Sequence, residues 1–357
     1  MKLYLSFDDI LINPKFNFIK SRKDVSTKVN FLGLDIFPVL SSNMDSVTGS
    51  KMASAMKEYG ALGCLHRFMS IEDNVKEYLA SPSDTISSIG LGEKELNRAQ
   101  ALVNVGCKRI LIDVAHGASM EVVRQVKHLR ELFNNDIYVI VGNFANRQSI
   151  EDFKYYLGNY KVDAWKVGIG GGSACLTRVV TGCGAPTLAS ILDCKGLEEP
   201  IIADGGIRTS GDMAKALAAG AAVVMLGGML AGSEESPGES HFENKFNGKY
   251  LQVNGKPSLE PMFEYVKTHK KYRGSASQES YEVQGKNDVH RAAEGDSFLV
   301  PYTGPVSNTL QKLEGGLRSA MTYVGASNIV EFQENVDLIQ ITNSGAKESQ
   351  AHGKNNN

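Results

Sequence analysis

The chain has 357 residues, of which 42% are hydrophobic and 22% charged, with a formal net charge of −2. These are the proportions of a soluble globular protein, and so small a charge argues against a bulk field that would attract nucleic acid or an acidic membrane. No run approaches the roughly 18 apolar residues that a membrane span needs, and Met1–Asp8 carry no charged-then-apolar leader pattern, so a cytoplasmic protein without membrane or nucleic-acid partners is expected.

Eight short runs rich in Val, Ile and Leu follow one another along the chain: Phe37–Asn43, Ala61–His66, Thr85–Leu91, Arg109–Ala115, Asp136–Asn143, Ala164–Ile169, Pro200–Asp204 and Ala222–Leu226. Each is continuous rather than alternating, as parallel strands buried on both faces require. Amphipathic stretches separate them. Ala118–Phe133 places Val122, Val123, Val126, Leu129 and Leu132 near one helical face, and Ser70–Ser81, Ser149–Leu157 and Ser210–Ala218 are helix-sized. Ser210 and Asp212 are candidate caps for the last of these. Eight β/α units predict a closed (β/α)8 TIM barrel, with an open doubly wound sheet as the alternative.

After the eighth run the pattern changes. Asn247-Gly248 and Asn254-Gly255 bracket Lys249–Val253, which predicts a small hairpin. Arg273–Gly295 has little apolar periodicity. Residues 232–300 are therefore expected to form a partly mobile flap over the barrel mouth, with helix-like Leu310–Val324 returning to the barrel. The domain is expected to span 1–345, and the polar tail Ala346–Asn357 to be disordered.

Glycine and polar residues concentrate just after the strands, on the face where barrel enzymes carry their sites. The sixth such loop reads Gly168-Ile-Gly-Gly-Gly-Ser-Ala-Cys-Leu-Thr-Arg178. Glycines let backbone N–H groups approach an anion, and Ser173 adds a hydroxyl; a plain tight turn is the alternative. Asp204-Gly-Gly and Leu226-Gly-Gly come after strands seven and eight, a recurrent phosphate position in this fold. Asp204 suits ribose hydroxyls, or else caps the next helix. The five cysteines (Cys64, Cys107, Cys175, Cys183 and Cys194) are odd in number and lack a C-x-x-C pair, which excludes a disulfide framework and points to a reducing compartment. Cys175, inside the glycine loop, is the candidate nucleophile. Cys64, Cys107 and Cys194 read as buried apolar residues, and Cys183 is open. His66 and His116 end strands without metal-ligand spacing. His290-Arg291-Ala-Ala-Glu294-Gly295 is either a solvated ion pair or, on a closing flap, a proton donor.

Together these residues resemble the family containing inosine-monophosphate (IMP) dehydrogenase and guanosine-monophosphate (GMP) reductase. The likeness runs from Phe7-Asp-Asp-Ile-Leu to Tyr323-Val-Gly-Ala-Ser and includes Asn43-Met-Asp45, Lys166-Val-Gly-Ile-Gly, Gly-Ser-Ala-Cys-Leu-Thr-Arg178, Ala203-Asp-Gly-Gly206 and Met225–Ser236. The stretch after the second strand holds only one helix, where the dehydrogenase usually carries a nucleotide-sensing insert. Ser275–Leu299 contains no Arg-Tyr pair of the kind with which the dehydrogenase activates water. Arg291-Ala-Ala-Glu-Gly and Gly315-Gly-Leu-Arg-Ser-Ala-Met-Thr-Tyr323 look like the reductase branch.

The resemblance implies reductive deamination of GMP to IMP with NADPH. Cys175 would attack C2 of the purine, with Thr177 and Glu294 supplying the acid for departing ammonia. Ser173, Gly206, Gly227, Gly228 and Tyr272 would hold the phosphate and Asp204 the ribose. Gly274, Ser275 and Arg291 would also meet substrate. Asp113, Ala115, Ser319 and Tyr323 would meet the cofactor, in part from a neighbouring subunit of a homotetramer. Carbonyls of Gly170, Gly172 and Cys175 would hold a monovalent cation, usually potassium. Gly171 and Leu176 depart from the family pattern, as do Ser275 and Ala276, which replace a methionine-containing stretch at the base. His116 and Phe7-Asp-Asp lean toward the dehydrogenase, and Glu239–Lys271 is longer than the reductase pattern. The alternatives are a dehydrogenase without its insert, an enzyme of a modified or deoxy guanine nucleotide, and a non-catalytic purine-nucleotide-binding barrel.

Overall fold

The computed structural model describes residues 3–253, 256–283 and 292–349. Each of the eight apolar runs contains a strand: β1 (Val39–Ser41), β2 (Leu62–Leu65), β3 (Ile86–Ile89), β4 (Arg109–Asp113), β5 (Tyr138–Phe144), β6 (Ala164–Val167), β7 (Ile201–Asp204) and β8 (Val223–Leu226). Neighbours in sequence pair in parallel, and β8 pairs back onto β1 (Val224 opposite Val39), so the sheet closes. The open-sheet alternative is excluded. Helices α1 (Ser50–Tyr59), α2 (Ile71–Leu79), α3 (Glu93–Asn104), α4 (Met120–Phe133), α5 (Arg147–Leu157), α6 (Thr187–Cys194) and α7 (Ser210–Ala218) alternate with the strands, and α8 (Val306–Val324) completes the ring.

Caps fix several helix starts. Ser70, Ser119 and Asn146 each accept a backbone N–H from the first turn of α2, α4 and α5. For α7 the cap is Thr209, whose hydroxyl accepts from the Asp212 amide at 3.0 Å, and not Ser210, which is already helical. Asp212 in turn accepts from the Arg208 amide at 3.0 Å.

Alternate strand residues face opposite sides of the barrel wall. Leu40, Leu62, Cys64, Ile86, Leu111, Ile140, Ala164, Ile202, Val223 and Met225 form the interior cluster, which Phe31 and Leu32 close at the bottom. The intervening residues, among them Ile110, Val141, Trp165, Ala203 and Val224, pack outward into the layer beneath the helices. Both faces are buried, which explains the continuous apolar runs.

The segment after β8 is more ordered than its sequence suggests. β9 (Ser240–Val253) and β10 (Lys256–Arg273) form one long antiparallel ribbon, and β11 (Ser297–Pro301) pairs with the end of β10. The small hairpin expected at Asn247-Gly248 is not formed. That dipeptide lies within β9, at a register shift between Phe246 and Tyr250. Cross-strand aromatic pairs, Phe242 on Tyr265 at 5.1 Å and Phe246 near Phe263 at 6.3 Å, carry the pairing past it. The other expected bracket, Asn254-Gly255, lies outside the described residues. Gln278–Val283 is helical. A short helix, Asn343–Glu348, crosses the boundary expected at 345 and includes the start of the stretch read as disordered.

His66, just after β2, is 8% exposed and stacks on Phe68. Burial pushes its pKa down to about 4, against the opposing pull of Asp45 and Glu77. An unfolded histidine titrates near about 6.5, so between these values the unfolded chain binds a proton that the native chain refuses. Stability should therefore fall as pH drops through this window, by about 2 kcal/mol from this residue between about pH 6.5 and 5. Urea melts across that range should show the slope flattened in His66→Gln; an unchanged slope would count against the assignment.

Candidate active site

The alternation that fills the barrel with apolar side chains places one polar layer at its mouth. One strand step beyond Leu111 comes Asp113, beyond Ala164 comes Lys166, and beyond Ile202 comes Asp204. Lys166 is 3% exposed, and its Nζ donates to Asp113 Oδ1 and to Asp204 Oδ2, each at 2.7 Å. Asn43 Nδ2 donates to the other Asp113 oxygen at 2.9 Å, and Asn143 Nδ2 to Asp204 Oδ2 at 2.9 Å. Burial alone would depress the lysine ammonium, but the two carboxylates outweigh it and hold its pKa above the usual value. Burial would likewise raise Asp113; the Lys166 charge, the bonds from Lys166 and Asn43, and the Arg67 charge hold it below the usual range. Gly142 makes room for the lysine stem, because a Cβ there would lie 2.5 Å from that of Lys166.

The Cys175 loop begins two residues beyond Lys166. Gly168 has φ +141°, and a Cβ on it would sit 1.9 Å from the Asp204 carbonyl oxygen, so the loop leaves β6 in direct contact with β7. Cys175 is half-buried, with its Sγ 3.2 Å from Thr177 Oγ1. One flap segment meets this loop through backbone hydrogen bonds, and a second pairs with the first. Leu176 N donates to Glu294 O at 2.7 Å, Asp296 N to Ala174 O at 2.9 Å, and Glu294 N to Ala276 O at 3.1 Å. Residues far apart in the chain thus form one ladder that holds the Glu294 backbone against Leu176, next to Cys175 in the chain. Arg273 anchors the flap from below through a bidentate contact with Asp45, including 3.1 Å to Oδ1.

One cleft of about 1420 Å³ opens above the polar layer. It is lined by Cys175, Thr177 and Glu294; by Ser173, Asp204, Gly206, Gly227, Gly228, Tyr272, Gly274 and Ser275; by Asp113 and Ala115; and by Gly170 and Gly172. At its far side Ser173 Oγ lies against Gly228, where a Cβ would be 2.7 Å away, and the Tyr272 hydroxyl lies against Gly227. Burial raises the Tyr272 pKa, with the hydrogen bond to Ser173 opposing it. Ser319 and Tyr323 are not brought to this cleft. They lie on α8, where Ser319 Oγ donates to Gly315 O and Tyr323 is 59% exposed. Arg291 lies outside the described residues. Cys64, Cys107 and Cys194 are buried and Cys183 exposed, all free.

Sequence reasoning had not singled out the polar layer's central residue. Lys166 carried a signal, a lysine inside an otherwise apolar parallel strand, which is rarely buried unless paired. Asn43 and Asn143 likewise end strands. Arg67, just after β2, also lines the cleft; its Nε is buried without a hydrogen-bond partner among the described residues.

A family model described as "IMP dehydrogenase / GMP reductase domain" matches residues 4–352. The chain belongs to this family. It is 36% identical to the GMP reductase of Klebsiella pneumoniae over 95% of both chains. It is 33% identical to the inosine-5'-monophosphate dehydrogenase of Cryptosporidium parvum, over 98% of this chain and 94% of that one. To the dehydrogenase of Nitrosopumilus maritimus it is 30% identical over 98% of each. The last alignment runs over 483 positions, against 355 for the Klebsiella protein, so the Nitrosopumilus enzyme contains a stretch with no counterpart here. The Cryptosporidium dehydrogenase aligns over only 397, so length does not separate the branches. Relatives on both branches are oxidoreductases, and so is this enzyme.

Gly168 is the tightest point of the site. Gly168→Ala should force β6 and β7 apart, lowering stability by about 2–3 kcal/mol and weakening nucleotide binding together. Thermal melts and calorimetric titration would show both losses; wild-type melting would contradict the close contact.

Proposed function

We propose that this enzyme reductively deaminates GMP to IMP and ammonia with NADPH. The observation that supports the reading is that Cys175, Thr177 and Glu294 line one cleft, with Cys175 Sγ 3.2 Å from Thr177 Oγ1 and the Glu294 backbone bonded to Leu176, next to Cys175. The Cys175 thiolate adds to C2 of the guanine. Protonated through Thr177 and Glu294, the 2-amino group leaves as ammonia, and the C2–S bond remains as a thioimidate. The cofactor supplies hydride to C2, and the C2–S bond breaks to release IMP and the thiolate. Covalent attachment divides one difficult displacement into two easier steps.

The substrate contacts run along the cleft. Ser173, Gly206, Gly227, Gly228 and Tyr272 hold the phosphate, Asp204 accepts from the ribose hydroxyls, and Gly274, Ser275 and Arg291 serve the base and flap side. The cofactor reading fits the other limb. Asp113 and Ala115 line it, and so does Arg67, whose guanidinium suits an anionic ligand. The position of Ser319 and Tyr323 on the outside of α8 supports their service to a neighbour's cofactor in a homotetramer. The carbonyls of Gly170, Gly172 and Cys175 are neutral donors, which suits a monovalent cation such as potassium better than a divalent one. It would stiffen the nucleophile loop.

The long β9–β10 ribbon favours a second reading, an IMP dehydrogenase lacking the sensing insert. Ser275 and Ala276 at the base favour a related activity on a modified guanine nucleotide. Purified protein with potassium should consume NADPH, read by its near-ultraviolet absorbance, when given GMP. NADH formation from IMP would instead assign the dehydrogenase, and binding without turnover of either would leave a nucleotide-binding barrel. Cys175→Ala should lower turnover by at least about 10⁴-fold while GMP binding persists; retained turnover would remove the covalent step. Glu294→Gln should lower kcat by about 10²–10⁴-fold with little change in GMP affinity. Loss of affinity alone would refute its acid role.

A further inference from the structure

We propose that Lys166 is a positioning residue that fixes the nucleotide-binding and cofactor-binding carboxylates against each other. Its ammonium reaches both at 2.7 Å from a 3% exposed position, so neither carboxylate can move without disturbing the other. Around Asp204, the donors Lys166 and Asn143 both fall on Oδ2, which turns Oδ1 toward the cleft that Asp204 lines. Around Asp113, Lys166 takes one oxygen and Asn43 the other, which fixes the plane of the carboxylate. The aspartates stand on β4 and β7, on opposite sides of β6, so one side chain sets the distance between the two limbs of the cleft. Lys166 itself lines the cleft, and in that role it acts through the two carboxylates. It registers the sugar of the bound nucleotide against the cofactor, so that the reacting carbon and the hydride donor face each other.

This inference rests on the ligand assignment above, and its test is independent of the reaction assigned. Steady-state kinetics on full-length Lys166→Met, with GMP and NADPH varied in turn, should show both KM values raised about ten-fold or more with a smaller fall in kcat. A merely structural lysine would lower the melting temperature and leave KM alone. Both KM values within about two-fold of the unmodified enzyme's, in a folded variant, would overturn the proposal. So would a rise in one KM alone.

Methionine leaves two carboxylates without their cation, so a second comparison removes one of them: Asp113→Asn with and without Lys166→Met. A GMP KM about ten-fold higher in the double variant supports positioning of Asp204 by Lys166, and equal values overturn it. Turnover of the unmodified enzyme with GMP and NADPH tests the reaction. The ratio of variant to unmodified KM tests Lys166, and it is read equally well with IMP and NAD⁺ if that pair turns over.

Discussion

A buried ammonium between two carboxylates organises the mouth of this barrel. Two aspartates facing each other across a nearly dry interior would repel, and at least one would take up a proton unless a cation lay between them. Lys166 supplies that cation from β6, one of the two strands between theirs, and Asn43 and Asn143 satisfy lone pairs that it cannot reach. The geometry demands Gly142 on β5, because any larger residue would meet the lysine stem. It also constrains the loops that leave the neighbouring strands. Gly168 leaves β6 against the backbone of Asp204, and Gly205 leaves β7 against Gly171 and Gly172. The Cys175 loop and the loop after β7 are therefore packed on each other above the charged layer.

The flap solves a different problem, bringing a residue from beyond the eighth strand to a thiol in the sixth loop. Its anchors are polar and buried. Lys270, 2% exposed, donates to the carbonyls of Ser233, Glu234 and Ser236 just after β8, and burial pushes its pKa down. Arg273 grips Asp45 beside β1. Between these fixed points and β11, short backbone ladders among the described residues join the flap to the Cys175 loop. Such contacts can open and reform without disturbing the barrel, as a site that must admit a nucleotide requires.

The scaffold was legible in the sequence because parallel strands buried on both faces write continuous apolar runs, and helices write their period and their caps. The errors arose where local signals competed. Thr209 and Ser210 are both good cap formers, and only the hydrogen bond to Asp212 separates them. Asn247-Gly248 is a strong turn signal, overridden by aromatic pairs contributed by the opposite strand. Lys166 has no partner within its own element; its carboxylates stand on two other strands, and a reading along the chain does not reveal which charges a closed barrel brings together. The cleft residues carried by the glycine loops were legible because each loop is local. Ser319 and Tyr323 were named only through family resemblance; nothing in α8 itself points toward a cleft, and they do not line the one described.

The division of the family into two reactions has a physical counterpart here. Both branches align along nearly the whole chain, so the barrel and its loops have counterparts in both. Under the proposed function, the flap supplies the acid that releases ammonia. In this chain the Arg273–Asp45 pair fixes the backbone entering the base-facing stretch, and the hydrogen bond between Gly274 and Asp296 fixes its neighbour. Ser275 and Ala276 thus stand on a path held at both sides. Under the proposed function, replacing a long apolar side chain by a hydroxyl and a methyl there changes what the base meets, while the Glu294 backbone is held by the ladder with Leu176 and Ala276. Base preference would then rest on side chains and acid placement on backbone.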